Sequence, residues 1–534
     1  MTYRFPPAVT AVEADQVRQW LAGPDEIAFI DVREEGLFGW GHPLLAVNVP
    51  YSRLEAEIRT LVPRQDTRIV LLDDDGSVAR DAARRLTVLN YTQVHILDGG
   101  ADAWKKAGFE LFEGVNVPSK SFAEVVEHAY NTPSITAGKL QQLFDGKADV
   151  IVLDSRTEEE FARFHVPGAI SVPGVELVHR YADVVRSPET LVVVSCAGRT
   201  RGIMGAQTLI NAGVPNKVVA LAGGTQGWRL ASLELETGPR FSNEPTTEAS
   251  KQAASRASDV AARFALERID HARLAEWRAD PARTTYVFDV RSPAEYRRGH
   301  LPYAVSIQGG QLLQTLDQWA AVRHARIVLV DDDGVRAAIT AHWIKQLGWQ
   351  VSVLENALED QDLETGDPAR ERAHFHAVEY IDVNEVRSWL GQGGRIVSVA
   401  PSAHYRQGHP AGAAWSIRPR LRLLPASVTA APKILVTAPD EEIAALAALD
   451  LKEIAGSDVR VLTGGDAAWR EAGLDWEGSP GTPPDADRLD FLTWNFDRHL
   501  GNPDASRAYL QWETELPEQI AKDGGAGFQI PAAG

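Results

Sequence analysis

The 534-residue sequence has one cysteine and two methionines, and it has no apolar run of the roughly 18 residues that a spanning helix needs. A single thiol excludes any intramolecular disulfide and any cysteine-based zinc cluster. It also fits a reducing compartment. The chain opens MTYRFPPAVTAVEADQVRQW, without the basic start and apolar core of a secretory leader, so the expected address is the cytoplasm. Basic character is lacking too. The formal net charge of −19 argues against nucleic acid or an anionic membrane as partner, because both select a cationic face. Hydrophobic residues at 44% and charged residues at 24% are the proportions of an ordinary globular protein. The length calls for about three to four domains rather than one core.

What the sequence does have is a fourfold repeat. IAFIDVREEGLFGWGHPLLAVNVP, VIVLDSRTEEEFARFHVPGAISVP, TYVFDVRSPAEYRRGHLPYAVSI and, more weakly, RIVSVAPSAHYRQGHPAGAAWSI can be anchored on Asp31, Asp154, Asp289 and Ser398. Seven positions later stand Phe38, Phe161, Tyr296 and Tyr405; eleven positions later stand His42, His165, His300 and His409. A second buried run follows in each repeat (RIVLLDDDG, TLVVVSCAG, RIVLVDDDG, KILVTAPDE), then a helical pattern and a third run. Three repeats close on glycine pairs with a tryptophan five residues after the first glycine: Trp104, Trp228 and Trp469. Short buried strands alternating with amphipathic helices imply βαβ crossovers and parallel sheets covered on both faces.

The expected fold is therefore α/β. It consists of four tandem domains over 1–118, 126–238, 262–367 and 376–480, each a mostly parallel sheet flanked by helices. A partly helical tail over 481–534 is expected to pack on the domains as a clamp. GPRFSNEPTTEASKQAASRASDVAARF, between the second and third repeats, has the polar, small-residue start of a linker, and its end is expected to lead into the next domain's first helix.

The cysteine lies in LVVVSCAGRTRGIMGAQTLINAG, residues 191–213. LVVVS reads as a strand, CAGRTR as a turn and the remainder as a helix. Cys196 then stands at a strand's carboxyl end beside a helix N-terminus, where α/β sheets bind ligands. Turn amides, the helix's positive end, Arg199 and Arg201 all favour a thiolate. A free cysteine after an apolar run is more often a small core residue. The glycine and two arginines that follow Cys196 point instead to a nucleophile.

Three motifs occur in order in the second repeat. They are D-x-R…E-F…H-x-P-G-A (Asp154, Arg156, Glu160, Phe161, His165, Pro167, Gly168, Ala169), the CAGRTR loop, and L-x-G-G…G-W (Gly223, Gly224, Gly227, Trp228). Together they resemble the rhodanese homology domain, and degenerate versions extend the resemblance over about residues 1 to 480. The whole chain resembles multidomain rhodanese-type sulfurtransferases with one active domain.

The resemblance implies a thiosulfate-type sulfurtransferase. Cys196 is its nucleophile and persulfide carrier, and the loop from Ala197 through Gly198, Arg199, Thr200 and Arg201 is its anion cradle. Arg199 and Arg201 would bind the donor's sulfonate, with Asp154, Arg156 and His165 as further support. Its partners are a small-molecule sulfur donor and a cyanide or thiol acceptor, and it needs no cofactor and no metal. Ala197 replaces an arginine common in the family, and Gly202 a serine, which bears on the donor. The Cys-Gly-Ser/Thr-Gly loop of mercaptopyruvate sulfurtransferases is absent.

Two other readings stay open: a relay module loaded with persulfide by a partner protein, and a phosphatase of the related cell-cycle type. The phosphatases carry arginine six positions after the cysteine, where this chain has Gly202.

Aligned by sequence, the cysteine position falls on Asp74, Asp332 and Ala438 in the other repeats. The two DDDG turns lack the spacing of a calcium loop and read as solvated acidic turns. The histidines persist where the thiol is lost, which marks them as hydrogen-bonded structural residues. The thiol-free repeats are expected to serve as scaffold, walls of the cleft or the interface of a homo-oligomer.

Overall fold

The computed structural model describes residues 9–242, 244–367 and 377–531. Residues 1–8, 376 and 532–534, at the ends of the first, fourth and tail segments drawn from sequence, lie outside the described residues. The chain divides into two compact units. One holds the first and fourth repeats; the other holds the second and third repeats with the last part of the tail. Among the described residues, no helix is long and apolar enough to cross a membrane.

The repeats share one topology. In the second repeat the strands run Ser134–Ile135, Val218–Leu221, Leu191–Ser195, Val150–Asp154 and Ile170–Ser171 across the sheet, all parallel. The third repeat has the same order, with Thr285–Asp289 beside Arg326–Val330, and the fourth has it with Arg395–Ser398 beside Lys433–Thr437. In the first repeat Ile27–Asp31 pairs in parallel with Arg68–Leu72. Central strands such as Leu191–Ser195 are buried almost throughout, as expected where helices cover both faces.

The fourfold aromatic and histidine pattern has a single explanation. Phe38, Phe161, Tyr296 and Tyr405 stack on His42, His165, His300 and His409, with centroids 3.6, 3.8, 3.7 and 3.6 Å apart. Each aromatic residue lies in a short helix that ends two residues before the histidine, and the extended residue between them (Gly41, Phe164, Gly299 or Gly408) turns the chain so that the imidazole lies on the ring. Nδ1 of His42, His165 and His300 also bonds the carbonyl of its stacked aromatic residue at 2.9–3.0 Å. In the fourth repeat the bond goes to the carbonyl of Pro410 instead. The tryptophans close the other end: Nε1 of Trp104, Trp228 and Trp469 donates to the carbonyl six residues on.

The segment read as a linker is largely helical. Thr247–Arg263 is a helix capped by Thr246, and its buried Ala249, Ala253, Ala257 and Val260 form a narrow stripe. Small residues at every fourth position let it lie close against helices Glu176–Val184 and Val335–Gln346.

The tail divides. In the first unit Gly36 donates its amide to the Leu489 carbonyl at 2.8 Å, and Trp494 Nε1 donates to Glu113 at 2.7 Å. In the second unit, helix Pro503–Asp523 begins at an Asn502 cap and packs on helices Val117–Tyr130 and Gly224–Leu230.

Candidate active site

Register identifies the residues equivalent to Cys196. Ser195 pairs with Asp154, Leu72 with Asp31 and Val330 with Asp289. The residues that follow are Cys196, Asp73 and Asp331. The sequence alignment on Asp74 and Asp332 is therefore one residue late, because three consecutive aspartates carry no internal marker. Ala438, after Thr437, keeps its place.

This correction changes the meaning of the acidic turns. Asp73 and Asp331 are each 2% exposed, so the first aspartate of each turn is not solvated. Asp73 accepts hydrogen bonds from the amides of Gly76, Val78 and Ala79 at 2.6, 2.9 and 3.0 Å. Asp331 accepts from Gly334 and Ala337, both at 2.9 Å. The second and third aspartates point outward, Asp74 to Arg33, Asp332 to Arg336 and Asp333 to His179. Two repeats thus use a carboxyl group to fill the ring of amides at the start of the helix, as an N-cap does.

The amides in the same places of the second repeat belong to Arg199, Arg201 and Gly202, at the start of helix Thr200–Asn211. There the Gly202 amide bonds the Cys196 thiol, and the loop departs from its sisters at Arg199, which has φ −118° where Gly76 and Gly334 are left-handed. A Cβ on Gly202 would lie 3.5 Å from Cys196 Sγ. The glycine pair of the third motif supports the loop from beneath. Thr225 and Gln226 donate their amides to the carbonyls of Cys196 and Ala197 at 2.8 and 3.1 Å. Gly224 has φ +53°, and a Cβ there would stand 2.3 Å from the Cys196 carbonyl oxygen. Only glycine allows this approach.

Both arginines of the loop are ion-paired. Arg199 forks onto Glu124 through Nε at 2.8 Å and Nη2 at 2.7 Å, and also meets Glu127. Arg201 forks onto Glu160 at 2.6 and 2.8 Å. Glu160 in turn closes a capping box with Thr157. Burial opposes ionisation of Glu160, but the Arg201 hydrogen bonds and charge outweigh it and hold the carboxyl down to about 2. The same pair recurs as Arg336 and Glu295 at 2.8 Å in the third repeat, which has no thiol. Arg156 forks onto Asp154 and donates to the Phe164 carbonyl at 2.6 Å. Arg33 and Arg291 make the same bonds to Asp31 and Asp289, and to the carbonyls of Gly41 and Gly299.

Cys196 is 2% exposed. The loop alone would favour its thiolate, yet burial is the larger effect and pushes the thiol up to about 11. The Arg201 charge and the Gly202 amide work the other way, while Asp154 and Glu513 add to the rise. The two aspartates behave alike: burial raises Asp73 and Asp331, and the amides of Ala79 and Ala337, equivalent to Gly202, oppose it.

Several groups at the site have no signal in the loop sequence. Lys120 and Glu124 come from helix Val117–Tyr130, and Tyr509 and Glu513 from the tail helix. Lys120 lies over the rings of Tyr509 and Trp512, and burial lowers its ammonium to about 8. Thr200 donates to Glu513 at 3.2 Å. Charged residues within an otherwise buried helix face, such as Lys120 and Glu124, were the available clue.

The Rhodanese-like domain family matches residues 13–107, 136–231 and 270–361, more than half of the chain. A thiosulfate sulfurtransferase from Pseudomonas aeruginosa of known crystal structure superposes with a TM-score of 0.91 at 42% identity, covering 98% of this chain and 100% of that one. Among curated proteins, the "Putative thiosulfate sulfurtransferase SseB" of Mycobacterium tuberculosis is 31% identical over 133 residues, 23% of this chain. The match spans 46% of that relative, less than half its length. The "Putative sulfur carrier protein YrkF" of Bacillus subtilis is 24% identical over 148 residues, covering 26% of this chain and 78% of that protein. With the repeated sheet and loop geometry set beside these matches, the chain belongs to the rhodanese-like domain family.

Proposed function

We propose that this protein is a sulfurtransferase working through Cys196 alone. The carrying observation is the comparison of loops: where sister repeats fill the amide ring with the carboxyls of Asp73 and Asp331, the second repeat offers it to a sulfur. In the first half-reaction the Cys196 thiolate attacks the outer sulfur of thiosulfate. An S–S bond to Sγ forms, the S–SO3 bond breaks and its electron pair leaves with sulfite. In the second, cyanide or a thiolate attacks the outer sulfur of the persulfide, the S–S bond breaks and the pair returns to Sγ. Atoms and electrons balance without a redox partner.

In this scheme the amides of Arg199, Arg201 and Gly202 hold the negative outer sulfur. Arg201 supplies the principal charge favouring the thiolate. Arg199 and Arg201 would meet the donor's sulfonate by sharing guanidinium hydrogens now given to Glu124 and Glu160. Burial of the thiol favours a small donor over a partner protein's cysteine, which would need the tail helix displaced. The P. aeruginosa relative supports the choice of thiosulfate.

Thiocyanate formation from thiosulfate and cyanide tests the reading. The wild type is expected to turn over and to gain one sulfur by intact mass, which cyanide removes. Cys196→Ser is expected to do neither, and equal rates in the two proteins would refute it.

A further inference from the structure

The tail helix presses Tyr509 and Glu513 onto the Cys196 loop. Glu513 is 2% exposed, and its two oxygens are unequal. Oε1 accepts the hydroxyls of Thr200 at 3.2 Å and Tyr509 at 3.1 Å. Oε2 has no hydrogen-bond partner among the described residues, and it stands 3.2 Å from where a Cβ on Gly198 would be. A buried carboxylate oxygen without a donor is costly. A protonated one needs an acceptor instead, and Oε2 lies beside the Gly198 turn next to the thiol, where the Gln226 amide, whose Oε1 also lacks a partner among the described residues, adjoins the same place.

We propose that Glu513 is a specificity-determining residue of the sulfur-transfer site: as a neutral acid it donates from Oε2 to an oxygen of an anion seated on the Cys196 loop. The inference rests on the sulfurtransferase reading for the identity of that anion, a sulfur donor ending in an oxyanion. An ionised Glu513 would turn negative charge towards the same place and repel it, so the anion binds the protonated form.

The charged and titratable groups facing Glu513 are Lys120 and Glu124 from helix Val117–Tyr130, Arg199 and Cys196 from the loop, Arg498 from the turn Phe496–Leu500, and Tyr509 from its own helix. Burial, the largest influence, raises the Glu513 carboxyl against the pull of Lys120, Tyr509, Arg199 and Arg498. Arg199 is already engaged by Glu124 and Glu127. A dianion without an accompanying proton would therefore meet carboxylates as well as cations.

Because Cys196 is the sole thiol, its alkylation reads the site without any sulfur chemistry. Iodoacetate is an anion and iodoacetamide its neutral near-isostere, and the ratio of their rate constants cancels the thiolate fraction of Cys196. In the wild type the iodoacetamide-to-iodoacetate ratio is expected to climb with pH, by up to about tenfold per unit above the titration of Glu513. In Glu513→Gln, which keeps a neutral donor of the same shape, the ratio is expected to stay at its low-pH value. Coincident ratio curves would overturn the proposal, as would a variant that changes both rates by the same factor, the mark of a merely structural residue. Failure of both reagents to reach Cys196 in the wild type would overturn the site reading with it. Absent thiosulfate turnover together with the expected ratio shift would refute the donor and support the role of Glu513 towards another anion.

Discussion

Arg336 is the third repeat's counterpart of Arg201, and replacing it separates what such an arginine does for the fold from what it does for the thiol. Arg336 is 1% exposed. Its guanidinium reaches Glu295 at 2.8 Å, Glu176 at 3.3 Å and Asp332 at 2.6 Å. Arg336→Ala leaves Glu176 and Glu295 facing one another in the interior. If both stay ionised, Glu295 loses the arginine it pairs with while Glu176 keeps Arg180 and His179, and breaking the buried pair costs about 3–5 kcal/mol. If one takes a proton at pH 7, bringing a carboxyl from about 4.3 to neutrality costs about 3.7 kcal/mol at 1.36 kcal/mol per unit. The two routes agree on about 3–4 kcal/mol.

The pH dependence carries a sign. In the wild type, burial opposes the charge on Glu176, but the hydrogen bond from His179 and the charges of Arg336 and Arg180 prevail and hold the carboxyl low. Glu295 is lowered likewise, with Arg336 the chief influence against burial. Their stabilisation is present above the unfolded carboxyl range and lost as the pH falls through the native values. In the variant a buried carboxyl must take up its proton, a cost that falls by about 1.36 kcal/mol per pH unit towards the unfolded carboxyl range, so the deficit of Arg336→Ala is expected to be largest near pH 7.5 and to shrink by more than half near pH 4.5. At about 2–4 °C per kcal/mol for a unit of this size, the melting midpoint drops by roughly 6–15 °C at pH 7.5. Differential scanning calorimetry at the two pH values measures it. A deficit below about 1 kcal/mol at pH 7.5, or one independent of pH, would refute the reasoning. Below the transition, thiocyanate formation by Arg336→Ala is expected to match the wild type. Arg201→Ala is expected to lose at least about tenfold in kcat/KM, since an opposite charge beside a thiol shifts it by about 1–3 units.

Gly224→Ala puts a methyl 2.3 Å from the Cys196 carbonyl oxygen at a positive φ. The variant is expected to lose about 2 kcal/mol or more of stability and most of its persulfide formation, read by denaturant titration and intact mass. An unchanged mass gain after thiosulfate would contradict the support assigned to the glycine pair. His165→Ala removes the stacking partner of Phe161 and the bond to its carbonyl. It is expected to cost about 2 kcal/mol in melting experiments with the thiosulfate KM unchanged. A raised KM with full stability would make His165 part of the donor site.

Local chemistry explains how much of the molecule was legible in the sequence. The strands could be read because a parallel sheet buried on both faces demands continuous apolar runs. The aromatic and histidine offsets were visible because every repeat ends its short helix two residues before the histidine, which fixes the spacing of the stack. Cys196, Gly224 and Trp228 are tied to one another through backbone within a single repeat, so their motifs lie in order. What escaped the sequence is what comes from elsewhere along the chain. Glu124 and Lys120 precede the cysteine-bearing repeat, and Glu513 follows Cys196 by more than three hundred residues. No periodicity links them to the loop they adjoin. The acidic turns misled for a related reason: DDDG looks like surface, but the position after the strand is an amide ring that needs an acceptor. An aspartate meets that need permanently and excludes a sulfur; a cysteine meets it only while it carries negative charge. That difference is what gives the second repeat an opening that the first and third lack, while in the fourth Ala438 brings neither a carboxyl nor a thiol to the position.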